Sequence, residues 1–157
     1  MQRPSWTEYF MNIAELAKTR STCLKRQVGS VIVKDKRILT TGYNGAPRGC
    51  SHCGDVGCLR KDVPSGTKHE ICAAVHAEQN AIVQAAYSGV SIQEATIYTT
   101  TQPCSLCAKI IINAGIREVV YKGSYPDELS FKLLREAGVK LKQYEERSNL
   151  YDGKIRS

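Results

Sequence analysis

From Ala74 to Gln143 the sequence alternates between helical and extended patterns, and a glycine closes each helical one. One helix is expected from about Ala74 to Tyr87, stopped by Gly89. A second runs from Cys104 to Ala114, stopped by Gly115, and a third from Asp127 to Ala137, stopped by Gly138. Glycine just past the last helical residue accepts the left-handed turn that ends a helix. Between these segments, Ala95 to Thr100, Glu118 to Tyr121 and Val139 to Gln143 read as strands. Strands separated by helices pair in parallel, through right-handed crossovers that lay the helices on the sheet.

The first half opens differently. Ser5-Trp6-Thr7-Glu8 fits a capping box, and Trp6, Phe10, Ile13 and Ala17 then recur at helical spacing to about Arg20. Val28 to Lys34 and Ile38 to Tyr43 read as strands, with the polar Asp35-Lys36-Arg37 between them as a hairpin turn. The expected architecture is therefore a mixed sheet, opened by a hairpin and covered by helices on both faces. From Asn44 to about Cys72 the periodicity disappears, in a glycine-rich stretch holding four cysteines and two histidines. Irregular segments this long are uncommon in compact domains unless functional, so this one needs its own staple. The segment 145–157 reads as a polar tail.

A length of 157 residues favours one domain, expected over 1–157, and 42% hydrophobic with 24% charged residues is an ordinary globular balance. Extended disorder, collagen and coiled coil are excluded as overall classes. The net charge of +7 suits anionic partners such as nucleotides or nucleic acids, although solubility alone accounts for such a value. Met1 to Phe10 lacks the basic start and apolar stretch of a signal peptide, and the longest aliphatic run is Ile110 to Ile112. A bilayer span needs ~20 apolar residues. The expectation is a soluble cytoplasmic protein without membrane contact, whose seven cysteines are reduced and free to bind metal or react.

Two motifs carry chemistry, His76-Ala77-Glu78 and Pro103-Cys104-Ser105-Leu106-Cys107, and both fall at helix starts. One imidazole and two thiolates supply three ligands for a tetrahedral zinc and leave the fourth position to water. Cys104 and Cys107, three residues apart, share one helix face, and the positive helix ends favour their thiolates. Glu78 lies about 200° around a helix from His76, yet at the first turn its carboxyl can still reach over the metal. A lone CxxC also reads as a redox pair or half a structural zinc site, and a lone HAE occurs by chance. Together and in this order they resemble the signature of zinc-dependent nucleobase deaminases.

The chain from about Trp6 to Leu141 resembles the deoxycytidylate (dCMP) deaminases of the cytidine deaminase superfamily. The likeness rests on Val28 to Val33, on Gly42-Tyr43-Asn44-Gly45-Ala46-Pro47, on His76 to Ile82, and on Pro103 to Lys109 followed by Ala114-Gly115-Ile116. It implies a three-layer α/β/α sandwich around a five-stranded mixed sheet. It also implies hydrolytic conversion of dCMP to dUMP and ammonia, supplying thymidylate synthesis. By the same resemblance His76, Cys104 and Cys107 hold the catalytic zinc and Glu78 shuttles protons. The Ala77 amide holds the base carbonyl, Asn44 faces the nucleoside, and Tyr125 lies near the substrate phosphate, with Lys25 or Arg26 for charge. Gly42, Tyr43, Asn44 and Gly45 belong to a regulatory site for dCTP (activator) and dTTP (inhibitor) with Mg²⁺, in a homohexamer. Read without the resemblance, Asn44-Gly45 is an ordinary turn pair, Tyr125 before Pro126 is loop packing, and Lys25 and Arg26 are a solvated charge pair.

Five cysteines remain. By spacing alone, Cys53-x4-Cys58 and His69-x2-Cys72 read as a structural zinc site, the kind of staple the irregular stretch requires. The resemblance implies Cys23, Cys53 and His69 as ligands. A carboxylate two residues before the catalytic histidine would be the fourth, but Ala74 stands there, so Cys72 is the nearest substitute and Cys58 the fallback. The bland alternative is buried or idle thiols. Two other functions share the motifs: a tRNA or single-stranded nucleic-acid deaminase, and a non-catalytic zinc-binding module. Two Phe, one Trp and dispersed basic residues argue against the first, which needs a basic groove with stacking aromatics. Glu78 argues against the second, because a structural zinc has no use for that acid.

Overall fold

The structure, a computed structural model, describes residues 2–146. Its elements follow in the order α1 (Trp6–Lys18), β1 (Gly29–Lys34), β2 (Arg37–Tyr43), the short α2 (Cys53–Val56), α3 (Ala77–Ser88), β3 (Thr96–Thr101), α4 (Ser105–Asn113), β4 (Glu118–Gly123), α5 (Glu128–Glu136) and β5 (Lys140–Gln143). A 3-10 turn, His69–Ile71, precedes α3. The five strands form one sheet in the order β2-β1-β3-β4-β5. β1 pairs antiparallel with β2 and β3, whereas β3–β4 and β4–β5 are parallel. The sheet is mixed, as the sequence pattern predicts.

The strands divide their side chains between two cores by the period-two alternation of extended backbone. Val31, Val33, Tyr98 and Val120 face Phe10, Met11 and Ala14 of α1. Ile32, Ile97 and Val119 face the opposite way, onto Ala81 and Ala85 of α3, Ala108 and Ile111 of α4, and Leu134 of α5. Three layers result, with one helix on one face and three on the other. Strands covered on both faces need apolar side chains at nearly every position, and β1 is buried along most of its length.

The β1–β2 turn is tight because Asp35 and Lys36 both adopt positive φ, 51° and 60°, which matches the twist of the flanking strands. Gly42 on β2 is required by contact. A Cβ there would lie 2.2 Å from the Ala77 carbonyl oxygen and 2.7 Å from the Ala81 nitrogen. The start of α3 therefore rests directly on β2, held also by Ser30 Oγ donating to the Ala77 carbonyl (2.8 Å) and Thr40 Oγ1 donating to that of Ala81 (2.9 Å).

Three expected helix starts shift. α3 begins at Ala77, not Ala74, because Val75 is extended and bridges Gly45 through N–H···O bonds of 2.8 and 3.1 Å. His76, Cys104 and Asp127 are each the capping residue before their helix. The stretch expected to be structureless holds α2, the 3-10 turn and that bridge. Of the polar tail, residues 147–157 lie outside the described residues; Glu146 pairs with Lys122 at 2.5 Å.

Candidate functional site

His76, Cys104 and Cys107 meet where α3 and α4 begin. Among the described residues they are the one group of three or more such side chains whose donor atoms all lie within 4.8 Å of one another. His76 Nδ1 stands 3.3 Å from Cys104 Sγ and 3.3 Å from Cys107 Sγ. Zinc bonds of about 2.0 Å to nitrogen and 2.3 Å to sulfur at tetrahedral angles place N and S roughly 3.5 Å apart. The trio fits that ion through Nδ1 and two sulfurs. Cys104 holds a thiolate, its pKa lowered to about 4 first by the hydrogen bond from Cys107 and then by His76, against the effect of burial. The same bond and burial push the Cys107 thiol well above its ordinary range.

The capping geometry holds these ligands still. Gln79 Oε1 accepts from the His76 backbone N–H at 2.8 Å, closing the first turn of α3. Asp127 serves two helices: Oδ2 accepts from Ser105 N–H (2.7 Å) at the start of α4, and Oδ1 from Ser130 N–H (3.1 Å) in α5. Ser130 Oγ donates to the Pro103 carbonyl at 2.5 Å, fixing the residue before Cys104. Neither role of Asp127 and Ser130 toward α4 is visible in the sequence; only an acidic cap for α5 is.

Glu78 is 4% exposed and lies beside the trio. Its Oε2 is 3.6 Å from Cys107 Sγ, and its Oε1 is 3.0 Å from Thr99 Oγ1. Thr99 Oγ1 is also 3.0 Å from the Thr101 carbonyl, so its one proton is shared between two acceptors. Burial pushes the Glu78 carboxyl above its ordinary range. A carboxyl that holds a proton more readily than usual, next to a metal-ligand cluster, is suited to acid–base chemistry.

One cavity, open to solvent, joins this cluster to the irregular lobe. Its wall includes Arg26, Asn44, Ala77, Glu78, Cys104 and Tyr125, together with Cys23, Cys53, Cys58, His69 and Cys72. Asn44 Oδ1 accepts from Ser21 Oγ (2.6 Å) and Val28 N–H (2.9 Å), while Nδ2 donates to the Arg26 carbonyl (2.7 Å). These bonds tie residues 21–28 to the end of β2 and leave one Nδ2 hydrogen for a ligand. The Arg26 guanidinium lies over the Tyr125 ring, 4.9 Å from its centroid. Lys25 points its ammonium at the carbonyls of Arg60 (2.8 Å) and Val63 (2.6 Å), so it pins the lobe.

The lobe's own donors gather less tightly. Burial raises the Cys53 thiol, and the charges of Cys58, Cys23 and Cys72 raise it further, which places the four cysteines near one another. No three of them reach the 4.8 Å closeness of the catalytic trio. They come from separate stretches of chain: the loop after α1, the start of α2, the loop beyond it and the residue after the 3-10 turn. His69 turns toward the catalytic side. Its Nε2 is 3.2 Å from Tyr125 Oη, and its ring meets that of His76 edge-on at 5.2 Å. Its Nδ1 is buried without a partner, the state of a nitrogen shaped for a ligand the protein itself does not supply.

Of the segment Gly42 to Gly45, Gly42 is taken up by contact with α3, Asn44 by residues 21–28, and Gly45 by the bridge to Val75. Tyr43 is 38% exposed.

A sequence model described as the cytidine and deoxycytidylate deaminase zinc-binding region matches residues 4–122, which include all three ligands and Glu78. The chain belongs to the cytidine and deoxycytidylate deaminase family. It is 46% identical to the deoxycytidylate deaminase of Saccharomyces cerevisiae over 145 residues, covering 92% of this chain and 46% of that protein. It therefore spans about half the length of this yeast relative. The deoxycytidylate deaminase of Mycobacterium phage D29 is 42% identical over 130 residues, 77% of this chain and 97% of the phage protein. The crystal structure of the dCMP deaminase from cyanophage S-TIM5, in complex with dCMP and dUMP, superposes with a TM-score of 0.78. Its identity is 32%, over 92% of this chain and all of that one. No helix among the described residues is long and apolar enough to cross a membrane.

Proposed function

We propose that this protein is a zinc-dependent dCMP deaminase, converting dCMP and water to dUMP and ammonia, and so supplying the step that methylates dUMP. The observation that carries the chemistry is the buried Glu78 carboxyl against the convergent His76, Cys104 and Cys107. The names of the similar proteins support the substrate. His76 Nδ1, Cys104 and Cys107 would hold zinc, which would supply the Lewis acidity that eases loss of a proton from water near neutral pH. Glu78 takes that proton and passes it to the ring nitrogen, then takes the remaining proton of the added hydroxyl and hands it to the departing amine. Thr99 orients its carboxyl through Oε1. The Ala77 N–H, left free at the helix start, receives the base carbonyl, and the remaining Nδ2 hydrogen of Asn44 faces the nucleoside. Tyr125 and Arg26 stand at the phosphate end.

A second, structural zinc belongs to the lobe, with Cys23, Cys53, His69 and Cys72 as ligands and Cys58 as the alternative fourth donor. The orphaned Nδ1 of His69 supports this, since Nε2, bonded to Tyr125, then fixes the tautomer as the outer partner of a ligating histidine does. Val83 and Tyr87 on α3 and Leu106 and Ile110 on α4 are large apolar side chains left exposed, which supports assembly into a homohexamer. Regulation by dCTP and dTTP with Mg²⁺ falls to the segment Gly42, Tyr43, Asn44 and Gly45, of which Tyr43 is exposed; a velocity curve unmoved by either nucleotide removes it. The compartment is the cytoplasm.

The test is ammonia release from dCMP, dCTP, CMP, deoxycytidine and a tRNA, measured side by side on the zinc-loaded protein. dCMP is expected to have the highest kcat/KM. Preference for the tRNA, or release from none, overturns the assignment.

A further inference from the structure

Three cations line the cavity, Lys25, Arg26 and Arg60, and among the described residues none is in an ion pair. Among the described residues the only carboxylate on the cavity wall is Glu78. Unneutralised positive charge on a concave wall calls for an anion. Lys25 and Arg26 lie in the α1–β1 loop and are visible in the sequence as a basic pair. Arg60 is not: it lies in the irregular lobe, in a stretch without periodicity.

Its side chain is held in place. Arg60 Nε and Nη2 both donate to the Thr67 carbonyl, at 3.1 and 2.6 Å, and Nη2 also approaches the Pro64 carbonyl at 3.5 Å. Lys25 grips the same segment from the other side through the Arg60 and Val63 carbonyls. One edge of the guanidinium is thus used on the lobe itself, and Nη1 makes no protein hydrogen bond among the described residues. The group lines the cavity together with His69 and Tyr125, and its charge opposes the rise that burial gives the Tyr125 hydroxyl. Arg26 acts on Tyr125 as well, from over its ring. Two guanidiniums therefore share the cavity wall with the tyrosine, that of Arg26 over its ring.

We infer that Arg60 is a specificity residue that reads the phosphate monoester of the substrate, with its Nη1 edge presented to the phosphate oxygens beside Arg26 and Tyr125. The lobe contributes to selection of a nucleotide over a nucleoside, besides closing the cavity. This rests on the proposed deamination of dCMP. The fixed edge matters because a guanidinium already ordered loses little freedom on binding an anion.

The test compares wild type with Arg60→Gln and Arg60→Lys on dCMP and deoxycytidine. Arg60→Gln is expected to lower the ratio of kcat/KM for dCMP to that for deoxycytidine about tenfold or more, chiefly through KM for dCMP, as loss of a charge-assisted hydrogen bond does. Arg60→Lys should recover part of that ratio. Inorganic phosphate should inhibit wild type competitively and the Gln variant less. An unchanged ratio, or equal losses on both substrates in both variants, overturns the inference, the second by showing a structural role. Titration of inorganic phosphate into the zinc-loaded proteins by calorimetry separates the two readings. Weaker phosphate binding in Arg60→Gln supports the subsite even if dCMP proves not to be the substrate, and equal binding overturns it.

Discussion

Two kinds of backbone meet at the cavity, and they place their side chains by different means. His76, Glu78, Cys104 and Cys107 are carried at the starts of α3 and α4, where caps from Gln79 and Asp127 and the contact with Gly42 fix each turn. Both cysteine sulfurs come within 3.3 Å of His76 Nδ1 without help. Cys23, Cys53, Cys58 and Cys72 share the same cavity, yet Cys23 sits on the loop after α1 and the other three on a lobe whose regular pieces are one four-residue helix and one 3-10 turn. They draw near without reaching ligand distance. A sheet with its helices positions ligands before any metal arrives; a lobe with little core does not, and the proposed second zinc would finish its fold.

The largest effect that sharpens this contrast is expected at Glu78. Glu78→Gln should lower dCMP turnover by about 10²–10⁴-fold, the usual contribution of a positioned acid–base group, with zinc at the trio retained. Turnover within tenfold of wild type at full zinc content would break the assignment.

The lobe supplies the next effect. Elemental analysis should give two zinc ions per chain in the wild type and one in Cys53→Ser, with residues 50–72 of the variant newly open to protease while the sheet stays folded. One zinc in the wild type removes the second site and leaves the lobe's thiols idle.

The smallest effect tests the frame. Asp127→Ala removes a cap shared by α4 and α5 and should cost about 1–2 kcal/mol, seen as a lowered Tm. Because Asp127 also fixes the turn that carries Cys104, zinc affinity should fall with it. A Tm loss with unchanged zinc affinity would show that the trio is held by packing alone.

The parts legible in the sequence were those with local causes. Glycine stops at 89, 115 and 138 all take positive φ, and the Ser5 cap and the Asp35-Lys36 turn formed as their residues predicted. The HAE and PCxxC motifs announced the trio because helix geometry brings residues three apart to one face. The start of α3 was misjudged by three residues because Val75 pairs with Gly45, a partner thirty residues away that local pattern cannot show. Thr99, Asp127 and Ser130 escaped for the same reason. Each acts on the site across a strand or helix boundary, and an isolated Thr or Ser carries no signal of what it faces.

What the sequence determined by itself is the alternation of strand and helix, the donor set of one metal site and the acid beside it, all consequences of short-range spacing. Tertiary structure alone decided that His69 turns from the lobe toward Tyr125 and that Lys25 serves the lobe's backbone. It also brought Arg60 into the same cavity as Glu78. These depend on how an irregular chain closes over a sheet, and that path is chosen by long-range packing and hydrogen bonding, which no local pattern records.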